Sequence, residues 1–485
     1  MEYNLTSDEV THQSGAWRTD ANTIAPHLTT QRPRWMQTLF YGSLAVLSII
    51  GLIALGVRMV EGLKVTTLTS PMGWGMWVAF YIYFIGLSAG SFLLSTLIYV
   101  FGMEQYEKAG RMALLSALFA LVAGMLFVWI DLGHPWRFWY VFTRWNYTSV
   151  LAWEVIAYGF YITVLASELW LLMRCDLADL ALRTTGWRRW FYRVVSLGFR
   201  CPQQQSEYQY CHTQSMRRVK TLGIIGVPVA IIVHGGTGSI FAVVLAKPYW
   251  YTGLFPIIFL VSALASGAAL MTFLYGFFGR KDEEHFAITR GLANLMLLFI
   301  GIDLLLIAAE LLVGLYGNIP EHREVYHALL FGQFRYTFWI GQMLVGILIP
   351  ILLVTLPRMR HNPFWLGLGG LSAVIGIVAV RFNLVVPAYI VPMLPGLDHV
   401  INQPRWAYSY FPSFWEWASS IGGVALVVLP FSIMFRLLPL FHEIGEQFKD
   451  DEDAGGTADT MPVVPEQSRV IGQQFKQDVG GATNV

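Results

Sequence analysis

Residues 74–101 read WGMWVAFYIYFIGLSAGSFLLSTLIYVF, an unbroken run without a charged side chain. About 20 apolar residues are enough to cross the hydrocarbon core of a bilayer as one helix, and this run exceeds that. Similar runs recur along the chain. Ten spans are expected, at 36–60, 74–101, 111–131, 148–173, 219–246, 253–278, 290–317, 334–357, 364–386 and 414–438. Composition agrees: 55% of the residues are hydrophobic and 13% charged, against about 25% charged in a soluble domain. Many of the 18 Trp stand near the ends of the runs, as in an interfacial aromatic belt. The fold class is therefore an all-α polytopic membrane protein, and a net charge of +1 gives no pull toward nucleic acid.

Lys and Arg in the loops set the orientation. Arg18, Arg32 and Arg34 precede the first span, and Lys108 and Arg111 follow the second. Arg174, Arg183, Arg188, Arg189, Arg193, Arg200, Arg217, Arg218 and Lys220 follow the fourth. Arg280, Lys281 and Arg290 follow the sixth, and Arg358 and Arg360 the eighth. The other side is poorer in them. Both termini are thus expected on the cytoplasmic side of a bacterial inner membrane. Residues 1–35 form a polar N-terminal segment in which no cleaved signal peptide is expected. Residues 174–218 form a basic cytoplasmic insertion whose Trp187, Trp190 and Phe191 suggest surface helices. Residues 446–485 read as a disordered tail.

A weak repeat organises the middle of the chain. Leu87-Ser-Ala-Gly90 and Leu264-Ala-Ser-Gly267 sit at similar places in the second and sixth spans. Arg111 and Arg290 follow, and an acid lies about twenty residues beyond each, Asp131 and Glu310. Duplication predicts two four-helix bundles, helices 2–5 within 74–246 and helices 6–9 within 253–386, with spans 36–60 and 414–438 peripheral. Recurrence of small residues in ordinary membrane helix packing is the alternative.

Ionisable groups inside a membrane are costly and so are candidates for chemistry. The densest group is Trp129-Ile-Asp131-Leu-Gly-His134-Pro-Trp136-Arg137-Phe-Trp139-Tyr140. A quinol ring needs flat aromatic neighbours and a carboxylate or imidazole to take its protons. Asp131 and His134 are candidates for that role, with Arg137 and Trp139 beside them. An aromatic belt plus an Asp–Arg pair fixing a loop is the other reading. Glu154, after Trp153, is a second candidate acceptor or a buried structural acid. His234, amid Gly235, Gly236 and Gly238, suits hydrogen bonding to a ligand or a structural contact. As the one histidine well inside a span, it argues against haem b. Trp74, Trp77 and Tyr81 are candidate pocket walls or packing residues. Asp303 and Glu310 are candidates for a proton path, or for polar ties within the second bundle. Cys175, Cys201 and Cys211 form no Cys-x-x-Cys motif, so no covalent haem, iron–sulfur cluster or metal is expected on this chain.

Several motifs together carry a resemblance. They are Asp131-Leu-Gly-His134-Pro-Trp-Arg137-Phe-Trp139, His234-Gly-Gly-Thr237-Gly, Lys247-Pro-Tyr-Trp250, Pro256, Phe259-Leu-Val-Ser262-Ala-Leu-Ala-Ser266-Gly267 and Arg381-Phe-Asn383. With these, across helices 2–9, the chain resembles the NrfD/PsrC/HybB-like family of quinone-interacting membrane subunits. The family commonly has Asp-Leu-Gly-Arg-Pro where this chain has His134. The ten helices, insertion and tail look most like the ActC-type subunit of alternative complex III. That resemblance implies a menaquinol site in the first bundle, facing the periplasm. It also implies a periplasmic iron–sulfur subunit, a c-type haem subunit and other membrane subunits as partners, with menaquinol or menaquinone as substrate. Polysulfide, nitrite or hydrogenase-type assemblies, a secondary transporter, and a passive anchor are the alternatives.

Overall fold

The computed structural model describes residues 33–200, 205–317, 319–392, 396–397 and 403–441. The expected tail and nearly all of the expected N-terminal segment lie outside these residues. Every regular element among them is helical. Ten helices are long and apolar enough to cross a membrane. They are α1 (Arg34–Glu61), α2 (Met76–Tyr99), α3 (Glu107–Asp131), α4 (Val150–Arg183) and α5 (Gln205–Ala242). The second five are α6 (Phe255–Phe278), α7 (His285–Tyr316), α8 (Thr337–Thr355), α9 (Pro363–Val385) and α10 (Phe414–Leu437).

The connections fall into two groups that touch only among themselves in the bonds seen. At one end Ser70 donates to the Arg405 carbonyl, Thr67 Oγ1 to the Phe411 carbonyl and Trp250 Nε1 to the Leu384 carbonyl. At the other, Lys108 pairs with Asp282, Arg111 donates to the Pro439 carbonyl and Tyr192 to the Leu437 carbonyl. That is the alternation ten crossings require. The first end is here called outer and the second inner, following the Lys and Arg bias.

Helix α2 is the centre of the molecule and is buried almost throughout, whereas α7 is mostly exposed. It packs on α3, α5, α6 and α9. Its crossing with α6 occurs at Gly90 and Gly267, the matched glycines of the repeat. A Cβ on Gly90 would overlap the Ala263 carbonyl, and one on Gly267 would overlap the Gly90 backbone. Only glycine lets the two backbones approach this closely. Helix α4 packs on α3 and α5, while α9 packs on α6, α7 and α8, and α10 packs on α1 and α3. The first part of α8, Thr337–Leu348, is wound as a π-helix. It ends just before Pro350, which has no N–H to donate to the preceding turn.

The insertion at 174–218 is mostly continuous with the membrane helices. α4 runs ten residues past its expected end and α5 begins well before 219. The extension is held by a buried pair, Arg111 to Asp176 at 2.5 Å, which gives Arg111 a reason to accept burial. Between them lies a short amphipathic helix, Gly186–Val195, with Trp187 and Trp190 exposed.

Candidate functional site

α3 ends at Asp131, and Leu132 turns the chain into extended backbone before a 3₁₀ turn over Pro135–Arg137. The freed carbonyls at the helix end are capped from α1. Arg58, fully buried, donates to the Ile130 carbonyl at 3.1 Å and the Leu132 carbonyl at 2.7 Å. It also lies over the Trp77 ring at 5.6 Å. A cation at a helix C-terminus complements the helix dipole, and here it is also the charged neighbour of Asp131. Asp131 Oδ1 is buried with no hydrogen-bond partner. Trp77 donates to Ser419 of α10 at 2.8 Å. Glu416, one turn earlier, forms a capping box with Ser413 and accepts from Tyr410 and from the backbone and hydroxyl of Thr67. Burial pushes the Tyr410 phenol well above its ordinary range, so it stays a donor to Glu416.

Deeper in, on the next turns of α2, Tyr81 meets Tyr158 of α4, hydroxyl to hydroxyl at 2.7 Å. Tyr158 donates to Glu154 Oε1 at 2.6 Å, and Thr237 of α5 donates to the same oxygen. Glu154 Oε2 is buried and has no partner. His234, one turn before Thr237, is fully buried. Its ring neighbour is Phe259, 5.8 Å away, and neither nitrogen reaches a partner at hydrogen-bond geometry. Gly86 of α2 lies beside it and beside Arg381. Arg381 donates to Ser262 at 3.0 Å and stands over Phe259 at 5.0 Å. Polar groups from four helices thus stand around α2: Asp131 at the end of α3, Glu154 on α4, His234 on α5 and Arg381 on α9.

In the second set of helices, Asp303 is the acid nearest Arg381 in charge terms. Two turns outward on the same face of α7, Glu310 approaches Tyr249 and Tyr326. Those two rings and His322 pack together at centroid distances of 5.2–5.9 Å. Burial holds the His322 imidazole below its ordinary value, which favours the neutral ring. The α8–α9 contact carries amides instead of acids. Asn383 donates to Gln342 at 2.9 Å and accepts from Thr337 at 2.6 Å.

The structure brings Trp77, Tyr81, Asp131, Glu154 and His234 into this interior and places Trp74 against Trp250 and Phe241 above it. It separates the expected acid–imidazole–guanidinium group. His134, Arg137 and Trp139 are exposed on the outer turn, while Asp131 looks inward to Arg58. The physical reason is the chain reversal at Leu132, which points the residues after it away from the helix end. Trp153 is also exposed, donating to the Tyr147 carbonyl at 2.9 Å. Sequence reasoning missed Arg58, Glu416 and Glu168. Arg58 stands two residues before the expected end of the first span, and nothing local in the sequence marks its partners. Glu416 had a readable signal, since Ser413-x-x-Glu416 before an apolar run is a capping box. Among the described residues no three His, Cys, Asp or Glu side chains gather as a metal-ligand set.

On the opposite face of α2 lies an apolar cleft of about 1110 Å³, half open along its side. It is bounded by α2, α3, α6, α8, α9 and α10, from Met76 and Tyr410 at the outer end to Ser116 and Phe431.

A family model described as polysulphide reductase, NrfD, matches residues 64–393. Among curated proteins, a selenate reductase subunit of Mesobacillus selenatarsenatis is 48% identical over 84% of this chain and 95% of its own length. The Hdr-like menaquinol oxidoreductase integral membrane subunit of Archaeoglobus fulgidus is 28% identical over 78% of this chain and 87% of its own. The integral membrane subunit of the menaquinone reductase of Nitratidesulfovibrio vulgaris is 23% identical over 82% of this chain and 90% of its own. With ten membrane-length helices and the match across α2–α9, this chain is a multi-pass membrane protein that belongs to the NrfD family.

Proposed function

We propose that the chain is the quinol-binding membrane subunit of a respiratory oxidoreductase, oxidising menaquinol near the outer face. The observation that carries this reading is the pair of buried, unpartnered carboxylate oxygens, Asp131 Oδ1 and Glu154 Oε2, on either side of the aromatic outer end of α2. A buried acid without partners is expensive to keep. One that must take a proton from a substrate has to keep a valence open. The names of the relatives support menaquinol as the substrate and an oxidoreductase complex as the setting.

In this mechanism the quinol enters from the lipid. Trp74, Trp77 and Tyr81 wall its ring once they part to admit it, and His234 hydrogen-bonds it from α5. Asp131, poised by Arg58, takes one proton, and Glu154, oriented by Tyr158 and Thr237, takes the other. The electrons pass to an iron–sulfur subunit docked on the periplasmic side. His134, Arg137, Trp139 and Trp153 belong to that outer docking surface, where their exposure suits them. Asp303 and Glu310 form a second polar line toward the outer face, available for coupled proton movement. A c-type haem partner would mark an assembly like alternative complex III. An oxyanion reductase partner would mark one like the selenate reductase. The inner membrane is the proposed location, with both termini cytoplasmic.

The test is quinol oxidation by the purified, assembled complex. Asp131→Asn is expected to lower turnover by about 100-fold, within the range for loss of a proton-transfer group. Normal turnover in Asp131→Asn and in Glu154→Gln would overturn the reading. Substrate flux in liposomes without partner subunits would favour a transporter instead.

A further inference from the structure

The quinol mechanism leaves one buried acid without a task. Glu168 on α4 is 2% exposed, and its Oε1 has no hydrogen-bond partner. It stands fourteen residues beyond Glu154, and Tyr158 and Tyr161 occupy the same helical face between them. At about 1.5 Å per residue that interval covers roughly 21 Å. Eight further residues reach Asp176, whose pair with Arg111 closes the inner end of α4. The line from Glu154 to Asp176 therefore spans about 33 Å, close to the thickness of a bilayer core.

α2 supplies a second file facing it. Both helices run from outer to inner and meet through side chains at two levels. Tyr81 meets Tyr158 at 2.7 Å, and Ser88 donates to Tyr161 at 3.3 Å. Ser91 and Ser95 continue this face of α2 one and two turns further in, Ser91 with its hydroxyl buried and unpartnered and Ser95 donating to the Phe92 carbonyl at 2.7 Å. On α5, Gly223 lies beside Glu168, where a Cβ would stand 3.5 Å from Oε1 and run into the Val100 side chain at the end of α2. Small serines suit close helix packing, but a carboxyl with a vacant oxygen in an apolar bundle is costly and has no packing purpose.

Resting on the quinol reading, we propose that Tyr161, Ser88, Ser91, Ser95 and Glu168 conduct protons between Glu154 and the inner face. Menaquinol gives up two electrons and two protons on becoming menaquinone. The electrons leave to the outer partner, and the Asp131 proton leaves to the outer side. The Glu154 proton travels down the file to the inner side.

The assembled complex in proteoliposomes, supplied with menaquinol and an acceptor, tests this with a pH dye on the side bearing the α4–α5 connection. Wild type is expected to release about one proton per quinol there. Glu168→Gln should cut that release at least tenfold, and Glu168→Asp should restore most of it. Tyr161→Phe, which keeps the ring packing, should show the same loss if Glu168→Gln assembles poorly. Unchanged release in Glu168→Gln or Tyr161→Phe, or none on that side in wild type, would overturn the proposal. Failure of the quinol reading would look different: normal turnover in Asp131→Asn and Glu154→Gln, whichever side the protons reach.

Discussion

Helices α2–α5 and α6–α9 share a pattern of glycines, arginines and acids, yet their interiors differ in chemistry. Between α4 and α5 the polar contact is Glu154 with Tyr158 and Thr237. Between α8 and α9 it is Gln342 with Asn383 and Thr337. An amide pair is satisfied, neutral at every pH and unable to accept a proton, whereas a carboxylate with a vacant oxygen can. His234 and Arg381 meet where the halves join, both beside Gly86 of α2 and the Phe259 ring of α6. On the quinol reading, the proton chemistry belongs to the carboxylates with a vacant oxygen and not to the α8–α9 amide contact. The acids of α7, Asp303 and Glu310, are the part of the second half that breaks this division.

The contact the two halves share is the most demanding feature and should give the largest effect when altered. Gly267→Leu forces a branched side chain into the Gly90 backbone. Neither helix can move without disturbing its other neighbours, so we expect no folded protein, read as loss of the monodisperse peak in detergent size-exclusion. Gly235→Ala on α5 meets no atom within 4 Å, and should leave the yield unchanged. If Gly267→Leu folds normally, the α2–α6 crossing is not what joins the halves.

The next effect bears on function. Glu154→Gln is expected to lower quinol oxidation by about 100-fold, and Gln342→Ala to change it less than threefold, in complexes of equal assembly. The smaller change follows because Gln342 lies in the amide contact of the second half, away from the acids. Equal losses in both would mean that the halves divide the chemistry evenly. Asp303→Asn sharpens the comparison: a loss near that of Glu154→Gln would bring α7 into the reaction path.

Much of this was legible in the sequence. The ten spans follow from hydrophobic length, and Leu87-Ser-Ala-Gly90 with Leu264-Ala-Ser-Gly267 was readable as a repeat but not as the crossing of α2 on α6 that its glycines make. Asp131, Glu154 and His234 stood out because a charged or polar ring group in an apolar run needs a reason. The partners were not legible. Arg58 comes from α1, seventy-three residues before Asp131 in the chain, and only the docking of α1 against the end of α3 brings it there. Glu168 lies inside the expected span 148–173 and carries the same signal as Glu154, but its neighbour Gly223 on α5 was not legible. The His134 loop misled for a local reason. Seven residues hold an acid, an imidazole and a guanidinium, but a helix end followed by a turn sends neighbours in sequence to opposite sides.

The smallest expected effect concerns the inner loops, where the two halves are tied by charge. Lys108, in the first turn of α3, meets Asp282 at 2.8 Å and Glu284 at 2.9 Å in the α6–α7 connection. Burial alone would raise the Asp282 carboxyl, but Lys108 and Arg280 outweigh it and hold the group below its ordinary value. An acid whose folded value is depressed stabilises the fold above its unfolded value, about 3.9, and loses that contribution as pH falls through the folded value. Both side chains are partly exposed, so the pair contributes a fraction of a kcal/mol. Asp282→Asn should therefore lower the thermal midpoint by about 1–2 °C at pH 7, with the gap to wild type closing below about pH 4 and shrinking in high salt. A gap that persisted at low pH would mean that Asp282 acts through its hydrogen bonds and packing, and that the two halves are held at this face by shape rather than by charge.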